Sequence, residues 1–150
     1  MQLRIGNKQD EGAVRALVQQ SMIELGAEYH LDNSEADLKN IEAEYFGNDG
    51  IFLVIEEESN IIAFAAARRL NDEICEVRRV FVNKAWRKQG LMLKLFHQII
   101  AFAKRMDYRY LDAITDPRFP VSRSLFDELG FQNMSLALDI EVYRYNLHSS

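Results

Sequence analysis

The sequence has few of the residues that build several common kinds of site. It contains one cysteine, Cys75, so no disulfide can form within the chain. Its three histidines lie far apart and lack the spacing of metal ligands. No apolar run approaches the roughly 20 residues of a membrane-spanning helix, and the first ten residues lack signal-peptide character. We therefore expect a cytoplasmic protein with no metal ion and no membrane association.

Basic residues are too few for general nucleic-acid binding. The chain carries 18 Lys and Arg against 23 Asp and Glu, for a net charge of −5. The two signs are unevenly distributed: residues 68–109 hold 11 basic and 4 acidic residues, whereas residues 24–58 hold 11 carboxylates and one lysine. This pattern favours an anionic ligand near the first segment and a cationic one near the second. Solvated helix faces are the alternative explanation.

Hydrophobic periodicity predicts an α+β fold. With 150 residues, no internal repeat and no linker, the chain reads as a single domain, residues 1–150. Helical spacing of apolar residues predicts one helix within residues 11–25 and a second within 35–46. The predicted strands are residues 2–5, 51–57, 61–69, 74–82, 108–115, 131–134 and 136–147, and the later helices are 90–106 and 121–129. Short connections make the three strands between residues 51 and 82 antiparallel, whereas a helical crossover makes the next strand parallel to its predecessor. The sheet is thus mostly antiparallel with a central βαβ unit.

A basic bend lies between the strand at 74–82 and the helix at 90–106. The segment "NKAWRKQG" places Arg87 and Lys88 shortly before Gly90. The first N–H groups of a helix have no helical partner, and the positive end of the helix dipole lies behind them. Such a helix end binds phosphate readily, and glycine allows the ligand to approach the backbone. Simple chain reversal is the alternative role of this bend.

The segment "VFVNKAWRKQGLMLKLF", residues 80–96, resembles the acyl-CoA-binding motif of the GNAT superfamily of N-acyltransferases. The family pattern is Gln/Arg-x-x-Gly-x-Gly/Ala; Arg87 and Gly90 match its first two positions, and Met92 replaces the third. The segment "LFDELGF", residues 125–131, is similar to the family's "LYEKLGF". The resemblance covers nearly the whole chain. It implies a GNAT fold and acetyl-CoA-dependent transfer of an acetyl group to a primary amine.

The resemblance also implies where acetyl-CoA binds. The pantetheine arm would pair with the backbone of Val80 and Val82, and the Val82 N–H would donate to the thioester oxygen and stabilise the oxyanion. Arg87 would lie near the pyrophosphate, and Ser124 and Phe126 would belong to the same site. The backbone groups that would contact the pyrophosphate are those of Lys88, Gln89, Gly90, Leu91, Met92 and Leu93.

The second motif departs from the family at its aromatic position. Family members often have a tyrosine there, whose hydroxyl protonates the departing CoA thiolate, whereas this chain has Phe126. A thiol with a pKa near that of cysteine, about 8.5, leaves tolerably well near neutral pH, so we expect only modest slowing. The hydroxyls that remain as alternatives are those of Ser122, Ser124, Tyr143 and Tyr145.

Acetyl transfer to an amine requires a general base. An alkylamine with a pKa of about 10.4 is almost fully protonated at pH 7, and its proton must be removed as it attacks. We predict that Glu76 is this base, because strand alternation gives it the same face as Val80 and Val82. An ion pair with a neighbouring arginine, Arg78 or Arg69, is the alternative role. Weaker candidates for the base are Asp112 and Asp116.

Cys75 offers a competing route through an acetyl-cysteine intermediate. Adjacent strand residues point to opposite faces, so Cys75 and Glu76 cannot both face the thioester without a bulge. A buried structural thiol is the favoured interpretation of Cys75.

The sequence gives only indirect information on the acceptor and on assembly. Tyr29 and His30 lie in the loop where this family commonly receives its acceptor, which we expect to be a small-molecule or peptide amine. The carboxylates of residues 24–58 favour a cationic amine. The long final strand, residues 136–147, is expected to have an exposed edge, which favours a homodimer.

Two other functions are compatible with parts of this pattern. One is a catalytically silent acyl-CoA-binding module that acts as a sensor or interaction partner. The other is a nucleotide-binding module, but the chain lacks both a P-loop Lys-Ser/Thr and a G-x-G-x-x-G pattern. Direct acetyl transfer in a ternary complex is therefore the favoured function.

Overall fold

The computed structural model describes residues 1–24, 26, 36–114, 121–134 and 141–148. Its strands are β1 Gln2–Ile5, β2 Ile51–Glu57, β3 Asn60–Arg69, β4 Ile74–Val82, β5 Tyr110–Ile114, β6 Gln132–Asn133 and β7 Val142–Asn146. Its α-helices are α1 Glu11–Glu24, α2 Ile41–Glu44, α3 Leu91–Arg105 and α4 Arg123–Leu129. The strands form one 7-stranded sheet in the order β1-β2-β3-β4-β5-β7-β6. Among the described strands only β4 and β5 pair in parallel, so the α+β prediction is confirmed.

Each face of the sheet is covered by a different pair of helices. On one face α3 and α4 pack against the sheet, and Leu95, Phe96 and Ile99 of α3 are fully buried. On the other face α1 and α2 cover the sheet over a row of stacked rings from Phe52, Phe64 and Phe81, with centroid separations of 5.3 and 5.1 Å. The two apolar cores hold the sheet rigid between them.

The second predicted helix is broken into three short pieces. A 3₁₀ turn at Ala36–Lys39 precedes α2, and another at Phe46–Asn48 follows it. Asn40 leaves the helical conformation, with φ −151°, and its side chain accepts a hydrogen bond from the Ala43 N–H. Asn40 therefore ends the first 3₁₀ turn and its side chain caps α2. The apolar spacing alone did not indicate this break in the helix.

The final strand is not at an edge of the sheet, so the prediction of its exposed edge is wrong. β7 lies between β5 and the short strand β6, which pairs with it through Gln132 opposite Arg144 and Asn133 opposite Tyr143. The first part of the predicted strand, residues 136–140, lies outside the described residues. The described part of β7 therefore does not support the exposed edge, and the homodimer stays a prediction.

Gly50 marks the closest approach between the α2 region and the sheet. A Cβ atom at this position would lie 2.7 Å from Arg68 Cα and 2.8 Å from Tyr45 O. The Gly50 N–H also donates to Tyr45 O at 2.8 Å. Both contacts involve main chain, which cannot rotate away as a side chain can, so only glycine fits at the start of β2.

We predict that Gly50→Ala destabilises the protein by roughly 3 kcal/mol or more, because the added methyl group overlaps backbone atoms. Gly12→Ala is the matched control: it lies in α1, a Cβ there meets nothing within 4 Å, and alanine favours a helix by up to about 1 kcal/mol. Urea unfolding followed by circular dichroism measures both changes. Equal stability of the two variants would contradict the role assigned to Gly50.

Candidate functional site

A β-bulge in β4 determines which side chains share a face of the sheet. Ala66 of β3 lies opposite Arg79, but Ala67 lies opposite Val77, so Arg78 has no counterpart on β3. One additional residue on a strand reverses the in-and-out alternation beyond it. The β4 side chains that pack toward α3 are accordingly Cys75, Val77, Val80 and Val82.

The bulge corrects our prediction for Glu76. Glu76 does not share a face with Val80 and Val82, because the inserted residue changes the alternation between them. Its carboxylate is 8% exposed and accepts a hydrogen bond from Arg78 Nη1 at 3.0 Å. The ion pair with Arg78, given above as the alternative role, is therefore present, while a role as general base stays a prediction.

Beyond the bulge, β4 and β5 separate and leave a cleft. Their parallel pairing ends, within the described residues, at Val77 and Ala113. The Asn83 N–H bonds to Ile62 O at 2.8 Å, and hydrogen-bonded and non-bonded pairs alternate along an antiparallel ladder. The N–H and C=O groups of Val80 and Val82 therefore point away from β3, into the cleft. Its lining residues are Val77, Arg78, Arg79, Val80, Phe81, Phe96, Ala113, Ile114, Val121 and Phe126.

The basic bend leads directly from this cleft to the N-terminus of α3. Lys88 and Gly90 adopt left-handed conformations, with φ +65° and +78°, and α3 begins at Leu91. No side chain caps this helix end in the described part of the chain, so the N–H groups of its first turn face the bend. This is the geometry that a pyrophosphate requires, and the phosphate-binding role of the bend stays a prediction.

Arg87 joins the bend to two other elements. Its Nε donates to Val82 O at 3.2 Å, and its Nη2 lies 3.6 Å from Glu24 Oε2 at the end of α1. The guanidinium is therefore positioned beside the last residue of β4. Its side chain remains about half exposed and accessible to an anion.

A second pair of carboxylate and arginine lies next to Glu76. Glu76 and Asp112 are neighbours in the register of β4 and β5. Asp112 accepts two hydrogen bonds from Arg144, Nε to Oδ1 at 2.8 Å and Nη2 to Oδ2 at 3.0 Å. Asp112 is thus held by a two-bond ion pair, whereas Glu76 is held by a single hydrogen bond among the described residues.

The sequence analysis missed a buried ion pair between Asp37 and Arg79. Each side chain is 8% exposed, and Arg79 donates to Asp37 at 2.6 and 3.1 Å while the Tyr45 hydroxyl donates to the same carboxylate. Burial alone would raise the pKa of Asp37, but the hydrogen bonds and charge of Arg79 outweigh it and hold the pKa below its usual value. The pair fastens the segment after residue 35 to the bulged part of β4. The available signal was a charged residue, Arg79, directly before the apolar run at residues 80–82 of β4.

The structure removes the electrostatic argument for a cationic acceptor. Eight of the carboxylates in residues 24–58 are described, and six of them form ion pairs. A paired carboxylate contributes little field at a distance. The pairs are Glu24 with Arg87, Asp37 with Arg79, Glu44 with Arg68, Asp49 with Arg69, Glu56 with Arg4, and Glu57 with the N-terminal amine.

Phe126 lines the cleft, as expected for its motif, and packs face to face with Tyr143 at a centroid distance of 4.1 Å. The Tyr143 hydroxyl donates to Glu141 Oε2 at 2.6 Å, and burial raises the pKa of Tyr143. Ser122 caps α4 through the Leu125 N–H, and the Ser122 hydroxyl lies 3.2 Å from that of Ser124. Tyr143 is therefore a poorer proton donor than an ordinary tyrosine.

Three predicted residues lie outside the described part of the chain: Tyr29, His30 and Asp116. Cys75 is fully buried, and burial raises the pKa of its thiol to about 12, so it is a structural thiol rather than a nucleophile.

The described residues contain neither a metal-binding cluster nor a membrane-spanning helix. They contain no group of three or more His, Cys, Asp or Glu side chains arranged to hold a metal ion. Nor do they include a helix with the length and apolar character needed to cross a bilayer.

Comparison with known families identifies the class of protein. The model of the acetyltransferase (GNAT) family matches residues 14–131, most of the chain. The chain therefore belongs to the GNAT acetyltransferase family. A search of curated proteins found no match.

Solved structures of acetyltransferases share the fold. A GNAT-family acetyltransferase from Staphylococcus aureus Mu50 has a TM-score of 0.85 at 20% identity, covering 97% of this chain and 98% of that chain. An acetyltransferase from Salmonella typhimurium, solved with acetyl-CoA, has a TM-score of 0.77 at 22% identity, covering 100% and 95%. A phosphinothricin acetyltransferase from Sinorhizobium meliloti in complex with acetyl-CoA has a TM-score of 0.78 at 18% identity, covering 97% of this chain and 87% of that chain. At these identities the similarity shows a common fold.

We predict that Gly90→Asp abolishes the rise in melting temperature that CoA produces, because its carboxylate would face the pyrophosphate. Gly90→Asn is the matched control, since asparagine has the same shape, also tolerates the left-handed conformation and carries no charge. A Cβ at this position meets nothing within 4 Å, so both variants should fold. Thermal unfolding with and without CoA measures the shift. Equal shifts in the wild type and in folded Gly90→Asp would show that phosphate does not bind at the bend.

Proposed function

We propose that the protein is an N-acetyltransferase that uses acetyl-CoA as co-substrate and transfers the acetyl group directly to a primary amine. The observation that carries this proposal is the cleft between β4 and β5, which opens beside the uncapped N-terminus of α3. An extended thioester cofactor with a pyrophosphate group fits this combination. Family membership and the acetyl-CoA complexes of two structural relatives support the same assignment.

In this proposal the chain binds acetyl-CoA mainly through its backbone. The pyrophosphate accepts hydrogen bonds from N–H groups between Lys88 and Leu93, at the positive end of α3. The pantetheine arm lies along β4 and pairs with the backbone groups of Val80 and with the Val82 N–H, while the Val82 carbonyl keeps its hydrogen bond from Arg87. Because backbone groups supply these contacts, Met92 in place of the family's small residue does not remove a donor.

The reaction then needs one proton transfer at the acceptor and one at the leaving group. The neutral amine nitrogen attacks the carbonyl carbon of the thioester, and the C–S bond breaks as the new C–N bond forms. Glu76 accepts the amine proton through water, and the CoA thiolate takes a proton from solvent. The products are the acetylated amine and free CoA thiol.

Strand geometry limits which backbone N–H can stabilise the oxyanion. In the register with β3, Val82 lies five residues from Glu76, roughly 17 Å at about 3.3 Å per residue, whereas Val80 lies three residues away, roughly 10 Å. A base that acts through one or two waters reaches only the nearer position. We therefore assign the oxyanion contact to the Val80 N–H, and give Val82 a contact with the pantetheine arm in place of the oxyanion role expected above.

A silent acyl-CoA-binding module is the second candidate function, and two observations favour it. Arg78 donates a hydrogen bond to Glu76 Oε1, so one oxygen of the proposed base is already in use. Phe126 lines the cleft without a hydroxyl group to protonate the thiolate. Such a module would bind acetyl-CoA and release no CoA thiol in the presence of amines.

We predict that the wild type releases CoA thiol with a panel of primary amines and that Glu76→Gln lowers kcat by about 10²–10⁴-fold, the range for loss of a general base. The melting-temperature shift produced by acetyl-CoA should stay unchanged. Asp112→Asn is the control, because it removes the neighbouring carboxylate and should retain most of the activity. A larger loss in Asp112→Asn would transfer the role of base to that residue, and a wild type that binds acetyl-CoA without any turnover would establish the silent module.

We predict that Phe126→Tyr retains or raises the rate of thiol release, because it adds a hydroxyl group to a ring that lines the cleft. Phe131→Tyr adds the same group to a neighbouring ring, 5.2 Å away between centroids, that is not part of the cleft lining, and should not raise the rate. Steady-state release of CoA thiol at several pH values measures both variants. A rate at least tenfold below that of the wild type in folded Phe126→Tyr would contradict the prediction.

A further inference from the structure

The face of the sheet that carries Glu76 presents arginines to solvent and buries its carboxylates. The side chains of Arg78 and Arg144 are 40% and 29% exposed, whereas those of Glu76 and Asp112 are 8% and 6% exposed. A molecule that approaches this face therefore meets guanidinium groups first. A cationic acceptor would be repelled by the groups that it contacts directly, and an acceptor with an anionic group would be attracted.

Arg78 combines unused hydrogen-bonding capacity with a position in the cleft lining, whereas Arg68, which also makes one hydrogen bond among the described residues, to Glu44, is not a lining residue. A guanidinium has five N–H donors, and within the described residues Arg78 uses one, for Glu76. Arg144 forms two hydrogen bonds with Asp112 and stacks over the Tyr110 ring at 4.5 Å. Arg79 is buried in its pair with Asp37. Arg78 also lines the cleft, at the bulge where β4 and β5 separate.

We propose that Arg78 binds a carboxylate group of the acceptor and that the acceptor is an amino acid or a similarly small amino-carboxylic acid. The inference rests on the acetyltransferase function proposed above and specifies its substrate. A guanidinium fork matches a carboxylate with two parallel hydrogen bonds. Because Arg78 lies only two residues from Val80 on β4 and lines the same cleft, a carboxylate bound to Arg78 lies near the proposed reaction centre, which favours an acceptor whose amine and carboxylate are separated by few bonds.

The same contact would couple acceptor binding to catalysis. The Arg78 guanidinium donates a hydrogen bond to the Glu76 carboxylate and so occupies one of the oxygens that would accept the amine proton. An acceptor carboxylate that draws Arg78 away leaves Glu76 free to accept the amine proton. Amines without a carboxylate lose both the binding contact and this release of the base.

The test compares common L-amino acids with their carboxamides, using release of CoA thiol as the readout. The two series differ only in the carboxylate, and the amides have the lower amine pKa, so intrinsic reactivity favours the amides. We expect kcat/KM to be roughly ten- to a hundredfold higher for the best amino acid than for its amide, the factor associated with a hydrogen bond to a charged group. Arg78→Gln should reduce this ratio to one or below, and Arg78→Lys should restore only part of it. Arg105→Gln, an exposed arginine in the last turn of α3, should leave the ratio unchanged.

The ratio of kcat/KM for an amino acid to that for its amide shows whether Arg78 recognises the acceptor carboxylate or only positions Glu76. If Arg78 only positions Glu76, Arg78→Gln lowers turnover of acids and amides equally, the ratio stays at its wild-type value, and the proposal is overturned. Amides or spermidine turned over as well as amino acids by the wild type would also overturn it, while leaving the acetyltransferase function intact. Absence of thiol release with every amine, despite binding of acetyl-CoA, would instead overturn the proposed function and this inference with it.

Discussion

The one-residue bulge at Arg78 is the constraint on which both faces of the sheet depend. With unbroken alternation, Arg79 would point with Cys75 and Val77 into the apolar core under α3. A charge in such a core without its partner is strongly unfavourable. The bulge instead directs the Arg79 side chain toward Asp37. It also places the side chains of Val80 and Val82 in the core under α3, while their backbone groups point into the cleft. Among the described residues the parallel pairing with β5 ends at Val77, directly before the bulge, so the opening and the change of face occur together.

The buried pair of Asp37 and Arg79 fixes position more than it adds stability. Two charges taken out of water lose most of what their attraction gains, but removal of either partner leaves an uncompensated charge. Tyr45, also buried, completes the set with its hydroxyl group and packs edge-on against Phe52. The segment before α2 is therefore held in one register relative to β4. In the same region Gly50 permits main-chain contact between the α2 segment and the C-terminal end of β3.

The sequence predicted the positions of helices and strands better than it predicted the face of the sheet on which each side chain lies. The amphipathic pattern of α3 and the short connections between β2, β3 and β4 are local features, and the structure has them as expected. The apolar positions of β4 change from odd numbers, Cys75 and Val77, to even numbers, Val80 and Val82, so a signal of the bulge was present but was masked by Phe81. The Asp37–Arg79 pair joins residues 42 positions apart, and no local pattern indicates such a contact.

The bulge has an evolutionary consequence. It divides the side chains of one strand between two faces: Val77, Val80 and Val82 pack toward α3, whereas Glu76 and Arg79 lie on the other face and Arg78, at the bulge itself, lines the cleft. Mutations on that second face can change its charge without altering the main chain of the first. Related chains can therefore diverge in one of these surfaces while selection holds the other constant. A single inserted residue thus allows one scaffold to acquire new partners by a few side-chain replacements.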